Sequence, residues 1–102
     1  MSYDLSKIED EVKAGTAKLL DVREQEEWDA GHLKNAELLQ LSLITEGEIP
    51  ESLDKSIKIY LHCRSGQRVH MAAPLLQQEG FGEVIPLSEG FESLLGEGFE
   101  EA

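Results

Sequence analysis

A chain of 102 residues, 40% apolar, has room for one compact core and not for two. Its formal net charge of −12 argues against nucleic acid and anionic membranes as partners, because both are polyanions that repel such a chain at long range. A single cysteine excludes an internal disulfide, and no paired Cys/His spacing builds a zinc site, so no metal or cofactor is implied.

Met1 to Asp4 carry neither a basic segment nor an apolar signal core, and no apolar run approaches the roughly 20 residues that span a bilayer. The expected location is cytoplasmic, with the periplasm left open if an export signal stands upstream. One domain is expected over 1–102, ending in a Gly/Glu-rich tail from Gly96 to Ala102 that frays. Leu5, Ile8, Glu9 and Val12 have helical spacing, and Gly15 stops that helix. Lys18 to Val22 reads as a short buried strand. Glu24 to Ala30, acidic at its start and followed by Gly31, suits a short helix. Ala36 to Leu41 is the next strand, and Thr45 to Asp54, with Gly47 and Pro50, an irregular connection with one helical turn. Ile57 to His62 is β-branched and aromatic, at strand length, and leads straight into Cys63. Gln67 to Gln78 reads as a largely buried helix, kinked at Pro74 and stopped by Gly80. Glu83 to Leu87 is a last strand and Glu89 to Leu95 a last helix. Strands alternating with helices imply an α/β fold, a mostly parallel sheet covered on both faces, with sites at the strand carboxyl ends.

Between Asp54 and Glu79 there is no acid, while Lys55, Lys58, Arg64 and Arg68 fall there. A buried strand that excludes acids explains Ile57 to Leu61 but not two arginines bracketing a Ser-Gly turn. A strand ending in Cys63, a turn at Ser65-Gly66 and a helix opening near Gln67-Arg68 gather backbone N–H groups around one point, and such a cradle binds anions. The same groups favour thiolate over thiol, giving a nucleophile that needs no general base. His62 points to the face opposite Cys63, and His70 lies beyond the loop, so both read as structural or solvated. The competing reading of Cys63 is a packing residue, with Arg64 and Arg68 as ordinary surface cations.

Cys63-Arg64-Ser65-Gly66-Gln67-Arg68 resembles the six-residue active loop of the rhodanese family. Asp21-Val22-Arg23-Glu24, Glu27-Trp28, Gly31-His32-Leu33 and Ala36 resemble its N-terminal signature, and Ala72-Ala73, Leu76, Gly80-Phe81, Val84 and Leu87 its later helix and strand. The resemblance implies a three-layer α/β domain with a central, mostly parallel sheet of about five strands. It implies a sulfurtransferase in which Cys63 takes the outer sulfur of a small anionic donor such as thiosulfate, holds it as a persulfide, and passes it to cyanide, a thiol or a sulfur-relay protein. Arg64, Ser65, Gly66, Gln67 and Arg68 are then the substrate-binding residues, with Arg68 also closing the loop, and Asp21, Arg23 and His32 form a structural network. Glu89 replaces a usual glycine and the last helix lacks the usual tryptophan; a carboxylate at the site would disfavour a dianionic donor and favour a protein persulfide. Rival readings are a persulfide carrier without turnover, an anion-binding regulatory module and, ranked lower, a phosphatase or arsenate reductase. The phosphatase loop has five residues between cysteine and arginine, and here there are four.

Overall fold

The computed structural model describes residues 3–102. Helix α1 (Leu5–Ala14) is followed by β1 (Ala17–Asp21), α2 (Gln25–Ala30), β2 (Ala36–Leu38), α3 (Leu41–Thr45), β3 (Lys58–His62), α4 (Val69–Gln78), β4 (Val84–Pro86) and α5 (Phe91–Gly96). The strands form one parallel sheet in the order β2-β1-β3-β4. Among the described residues it has four strands rather than about five, with β2 and β4 at its edges; the one bridge outside it, Leu33 with Glu101, is isolated and antiparallel. The helical turn expected within Thr45 to Asp54 ends at Thr45 instead, since α3 begins at Leu41. Helix α5 opens two residues later than expected, after Gly90.

Strand alternation divides the apolar residues into two layers. Leu20, Ile59 and Leu61 pack with Ile44 of α3 and with Val69, Ala72 and Leu76 of α4. Leu19 and Tyr60 pack on the other face with Ile8 of α1 and with Phe91 and Leu94 of α5. Pro74 lies inside α4 on its exposed side, where a missing N–H and a kink are tolerated. No helix of the described residues is long and apolar enough to cross a membrane.

The expected frayed tail is corrected. Phe99 is buried in the α1/α5 layer. The Glu100 N–H donates to Glu9 Oε2 at 2.9 Å, Lys34 N–H to the Glu100 carbonyl at 2.9 Å, and Ala102 N–H to the His32 carbonyl at 3.0 Å. Composition described the exposed Gly and Glu residues correctly, but one aromatic anchor with three backbone bonds outweighs their tendency to fray.

Register fixes where chemistry can occur. The chain leaves β1 for β2 on one side and returns to β3 on the other, so the sheet switches direction between β1 and β3, whose ends pair Asp21 with His62. Crevices open at such a switch point, at the carboxyl ends of the strands. Cys63 follows immediately.

Truncating the anchor tests the docked tail. Phe99→Ala is expected to lower stability by about 3 kcal/mol, the usual cost of emptying a buried phenylalanine site, read as a lower urea midpoint with unchanged slope. An unmoved midpoint would mean the tail contributes nothing.

Candidate active site

Cys63 ends β3 on the α4 side of the sheet and is 1% exposed. The chain then turns through Arg64 to Gln67, with Gly66 at φ +81°, and enters α4 after Arg68. This turn aims the N–H groups of Ser65, Gly66, Arg68 and Val69 at the Cys63 sulfur. Burial pushes the thiol pKa up, but the four donors together outweigh it and leave Cys63 more acidic than an ordinary cysteine. The first turn of α4 supplies two of the four, because N–H groups opening a helix have no partner within it. Cys63 is thus a packing residue of the core whose sulfur lies at the centre of a cradle of backbone donors.

The cradle is held from behind by the turn between β4 and α5. Leu87 N–H donates to the Leu61 carbonyl at 2.9 Å and Phe91 N–H to the Cys63 carbonyl at 3.0 Å. Two glycines permit the approach. A Cβ on Gly66 would overlap the Ser88 carbonyl, and one on Gly90 would overlap the Arg64 carbonyl. Gly66 also needs its left-handed φ, which other residues adopt at a cost.

On the opposite face, the end of β1 forms a buried strut. Arg23 donates from Nε and Nη2 to the Asp21 carboxylate at 2.8 to 3.0 Å and from Nη2 to the Gly31 carbonyl at 2.8 Å. Its guanidinium lies 4.4 Å from the centre of the Phe91 ring. His62 Nδ1 is 3.4 Å from the Cys63 carbonyl and Nε2 is 3.6 Å from Asp21 Oδ2, beyond hydrogen-bond reach. Burial pushes the His62 pKa down although Asp21 opposes it. His32 stacks on Trp28 at 3.7 Å and 4° and bonds the Trp28 carbonyl through Nδ1. Asp21 and Arg23 therefore form an ion pair tied to Gly31, His32 is held separately by Trp28, and His62 is buried between Asp21 and the Cys63 carbonyl.

The loop arginines separate. Arg68 donates from Nη1 and Nη2 to the two oxygens of Glu27 at 2.6 and 2.8 Å, tying the loop to α2. Glu27 Oε1 also accepts from the Glu24 N–H at 3.0 Å. Arg64 is exposed and lines a cleft of about 280 Å³ with Arg23, Glu27, Gly31, Phe91 and Glu92. Ser65 and Gln67 are exposed on the loop. Glu89 does not line this cleft: its Oε1 accepts the Tyr3 hydroxyl at 2.8 Å, and the carboxylates in the lining are Glu27 and Glu92. Among the described residues no group of three His, Cys, Asp or Glu side chains is placed to hold a metal ion.

Three contributors escaped the sequence reading. The Val69 amide lies one residue past the loop motif. Gly90 falls inside the expected last helix, and nothing in its spacing reveals the Arg64 carbonyl against it. Glu27 was visible only as part of a signature, since its partner Arg68 is 41 positions away.

A model of the Rhodanese-like domain matches residues 4–97. The chain is 34% identical over 82 residues to thiosulfate sulfurtransferase GlpE of Coxiella burnetii, covering 80% of this chain and 75% of that one. It is 35% identical over 72 residues to the probable adenylyltransferase/sulfurtransferase MoeZ of Mycobacterium tuberculosis, covering 71% of this chain but only 18% of that longer protein. The solved structure of a rhodanese-related protein from Thermoplasma volcanium is 25% identical with a TM-score of 0.79, covering 99% of this chain and 96% of that one.

Two measurements check the site. Arg68 holds the Glu27 carboxyl from its ordinary 4.5 down to about 2. A depressed carboxyl stabilises the fold above its ordinary pKa and loses that contribution as pH falls through the depressed one. The melting-temperature gap between wild type and Glu27→Gln is therefore expected to be constant above about pH 4.5 and to close toward about pH 2; a gap independent of pH would rule the pair out. Gly90→Ala, by pushing on the Arg64 carbonyl, is expected to raise the Cys63 pKa in a titration of thiolate ultraviolet absorbance, and an unshifted curve would show that the cradle tolerates the methyl.

Proposed function

The chain belongs to the rhodanese-like domain family, and we propose that it is a sulfurtransferase that moves a sulfane sulfur through a persulfide on Cys63. The observation that carries this is a buried cysteine held toward its thiolate by four backbone N–H groups. A nucleophile of this kind suits a donor whose leaving group departs as a stable anion.

In the first step the Cys63 thiolate attacks the outer sulfur of thiosulfate or a related donor. One S–S bond forms, the donor's S–S bond breaks, and sulfite or a thiolate leaves with the electron pair. The terminal sulfur then carries the negative charge, and the amides of Ser65, Gly66, Arg68 and Val69 stabilise it as they stabilised the thiolate. In the second step an acceptor, cyanide or a thiol, attacks that terminal sulfur and Cys63 departs as thiolate. Arg64, exposed on the cleft, meets the donor, and Arg68 holds the loop closed through Glu27. Backbone donors change little when the charge moves out by one atom, so the cradle serves both states without rearranging side chains. The cytoplasm, whose low-molecular-weight thiols accept sulfane sulfur, is the proposed compartment. A protein acceptor in a sulfur relay is the proposed partner.

Intact-protein mass spectrometry after thiosulfate, or after a cysteine desulfurase with its substrate, tests the reading. Wild type is expected to gain one sulfur, removed by cyanide with formation of thiocyanate, and Cys63→Ser to gain none. Sulfur that loads but is not released to cyanide or thiols over repeated cycles would favour a carrier. No loading from either source would refute transfer through Cys63.

A further inference from the structure

Asp21 and His62 are register partners at the ends of β1 and β3, and strand alternation puts both on the α1/α5 face of the sheet. His62 is fully buried, and its Nε2 has no hydrogen-bond partner among the described residues. Each ring nitrogen faces an oxygen that can only accept: the Cys63 carbonyl, 3.4 Å from Nδ1, and Asp21 Oδ2, 3.6 Å from Nε2. A neutral imidazole carries one N–H, so whichever nitrogen holds it, the other turns a lone pair toward an oxygen. Only the imidazolium, with a proton on each nitrogen, donates to both. An orphaned buried nitrogen costs free energy in every neutral form, and that cost falls away when the ring is charged.

Burial opposes the charged ring, as does Arg23 just past β1, whereas Asp21 favours it. Part of the Asp21 charge is already met by Arg23, which donates from its backbone N–H, Nε and Nη2. The side chains of this layer, Ile8 of α1, Leu87 after β4, and Phe91 and Leu94 of α5, are apolar. Tyr60, one pleat back along β3, gives its hydroxyl to Glu11 at 2.6 Å. The remaining titratable neighbour is Cys63, joined to His62 through one peptide with Cα atoms about 3.8 Å apart.

Resting on the sulfur-transfer reading, we propose that His62 is a proton-linked positioning residue that bridges the Cys63 carbonyl to Asp21 when it takes a second proton, and takes it more readily when the Cys63 sulfur is anionic. At higher pH burial keeps the ring neutral. As the pH falls the proton comes from solvent, and the bridge ties the start of the loop to the Asp21–Arg23 strut. Linkage makes the effect reciprocal: the anion raises the proton affinity of His62, and the charged ring raises the population of the anion. A thiolate or persulfide on Cys63 therefore persists further into acid than the four amides alone would hold it.

Nitrogen-15 NMR titration of His62 in Cys63→Asp and Cys63→Asn, an isosteric pair that places a charge or none in the cradle, tests the linkage without any sulfur chemistry. The His62 pKa is expected to be about one unit higher in Cys63→Asp, the effect of one nearby charge in a partly screened interior. Equal values in the pair, or no titration before acid unfolding in either, overturn the proposal. A second measurement keeps the native sulfur: the pH dependence of Cys63 loading from thiosulfate in wild type and in His62→Asn, whose amide keeps a donor at the Nδ1 position and cannot titrate. Wild type is expected to lose loading in two steps as the pH falls, and His62→Asn in one step that begins at higher pH. A merely structural role would slow the variant equally at every pH; that result, or one identical step in both proteins, overturns the proposal. No loading at any pH overturns the transfer reading, and the NMR pair then decides by itself whether His62 is linked to charge in the cradle.

Discussion

Taking a thiolate out of water costs free energy, and Cys63 is almost wholly out of water. The fold meets that cost with backbone N–H groups rather than with a neighbouring cation, and much of the architecture around the loop follows. Backbone donors point at one atom only if the chain bends sharply, so the turn requires Gly66 in its left-handed conformation. They stay there only if something solid stands behind them. The turn before α5 is that support, and it comes so near the loop that Gly66 and Gly90 leave no room for a side chain. A cradle built from the main chain is indifferent to side-chain identity but intolerant of backbone displacement.

The same logic explains the buried ion pair at the end of β1. Arg23 joins the carboxylate of Asp21, the end of α2 at Gly31 and the ring of Phe91 at the start of α5. Two consecutive elements and the distant start of α5 are thereby fixed at the mouth of the switch point. Buried pairs of this sort add little net stability, because desolvation offsets the attraction, but they fix geometry. His62 sits beside the pair, kept neutral by burial, and adds packing without a competing charge.

Charge in the cleft is arranged by pairing more than by number. An acid-free stretch around the loop leads to the expectation of an anion site flanked by two free arginines. In the folded chain Glu27 crosses from α2 and takes Arg68, so of the two loop arginines only Arg64 stays exposed, beside a cradle of dipoles. The backbone donors act on the Cys63 sulfur at short range, while the Arg68 charge is met by Glu27. Glu89, the departure that pointed to the donor, is turned to Tyr3, and the carboxylates that line the cleft are Glu27 of α2 and Glu92 of α5.

Local patterns determined a great deal. The alternating apolar runs, the Cys63 loop and the turn glycines specify an α/β chain, a cysteine at a strand end and an anion cradle, because each depends on residues within a few positions of one another. Where the reading failed, the deciding contact was distant. Four strands rather than about five, and a docked rather than frayed tail, depend on which elements meet: Phe99 finds the α1/α5 layer, and Glu9 waits there for the Glu100 amide, 91 positions later. The pairing of Arg68 with Glu27 and the closeness of Gly90 to Arg64 are likewise decided only in the folded chain. Spacing encodes which groups a short segment can bring together. Which charges are cancelled and which backbones touch depends on elements brought together by burial, and only the tertiary structure carries that information.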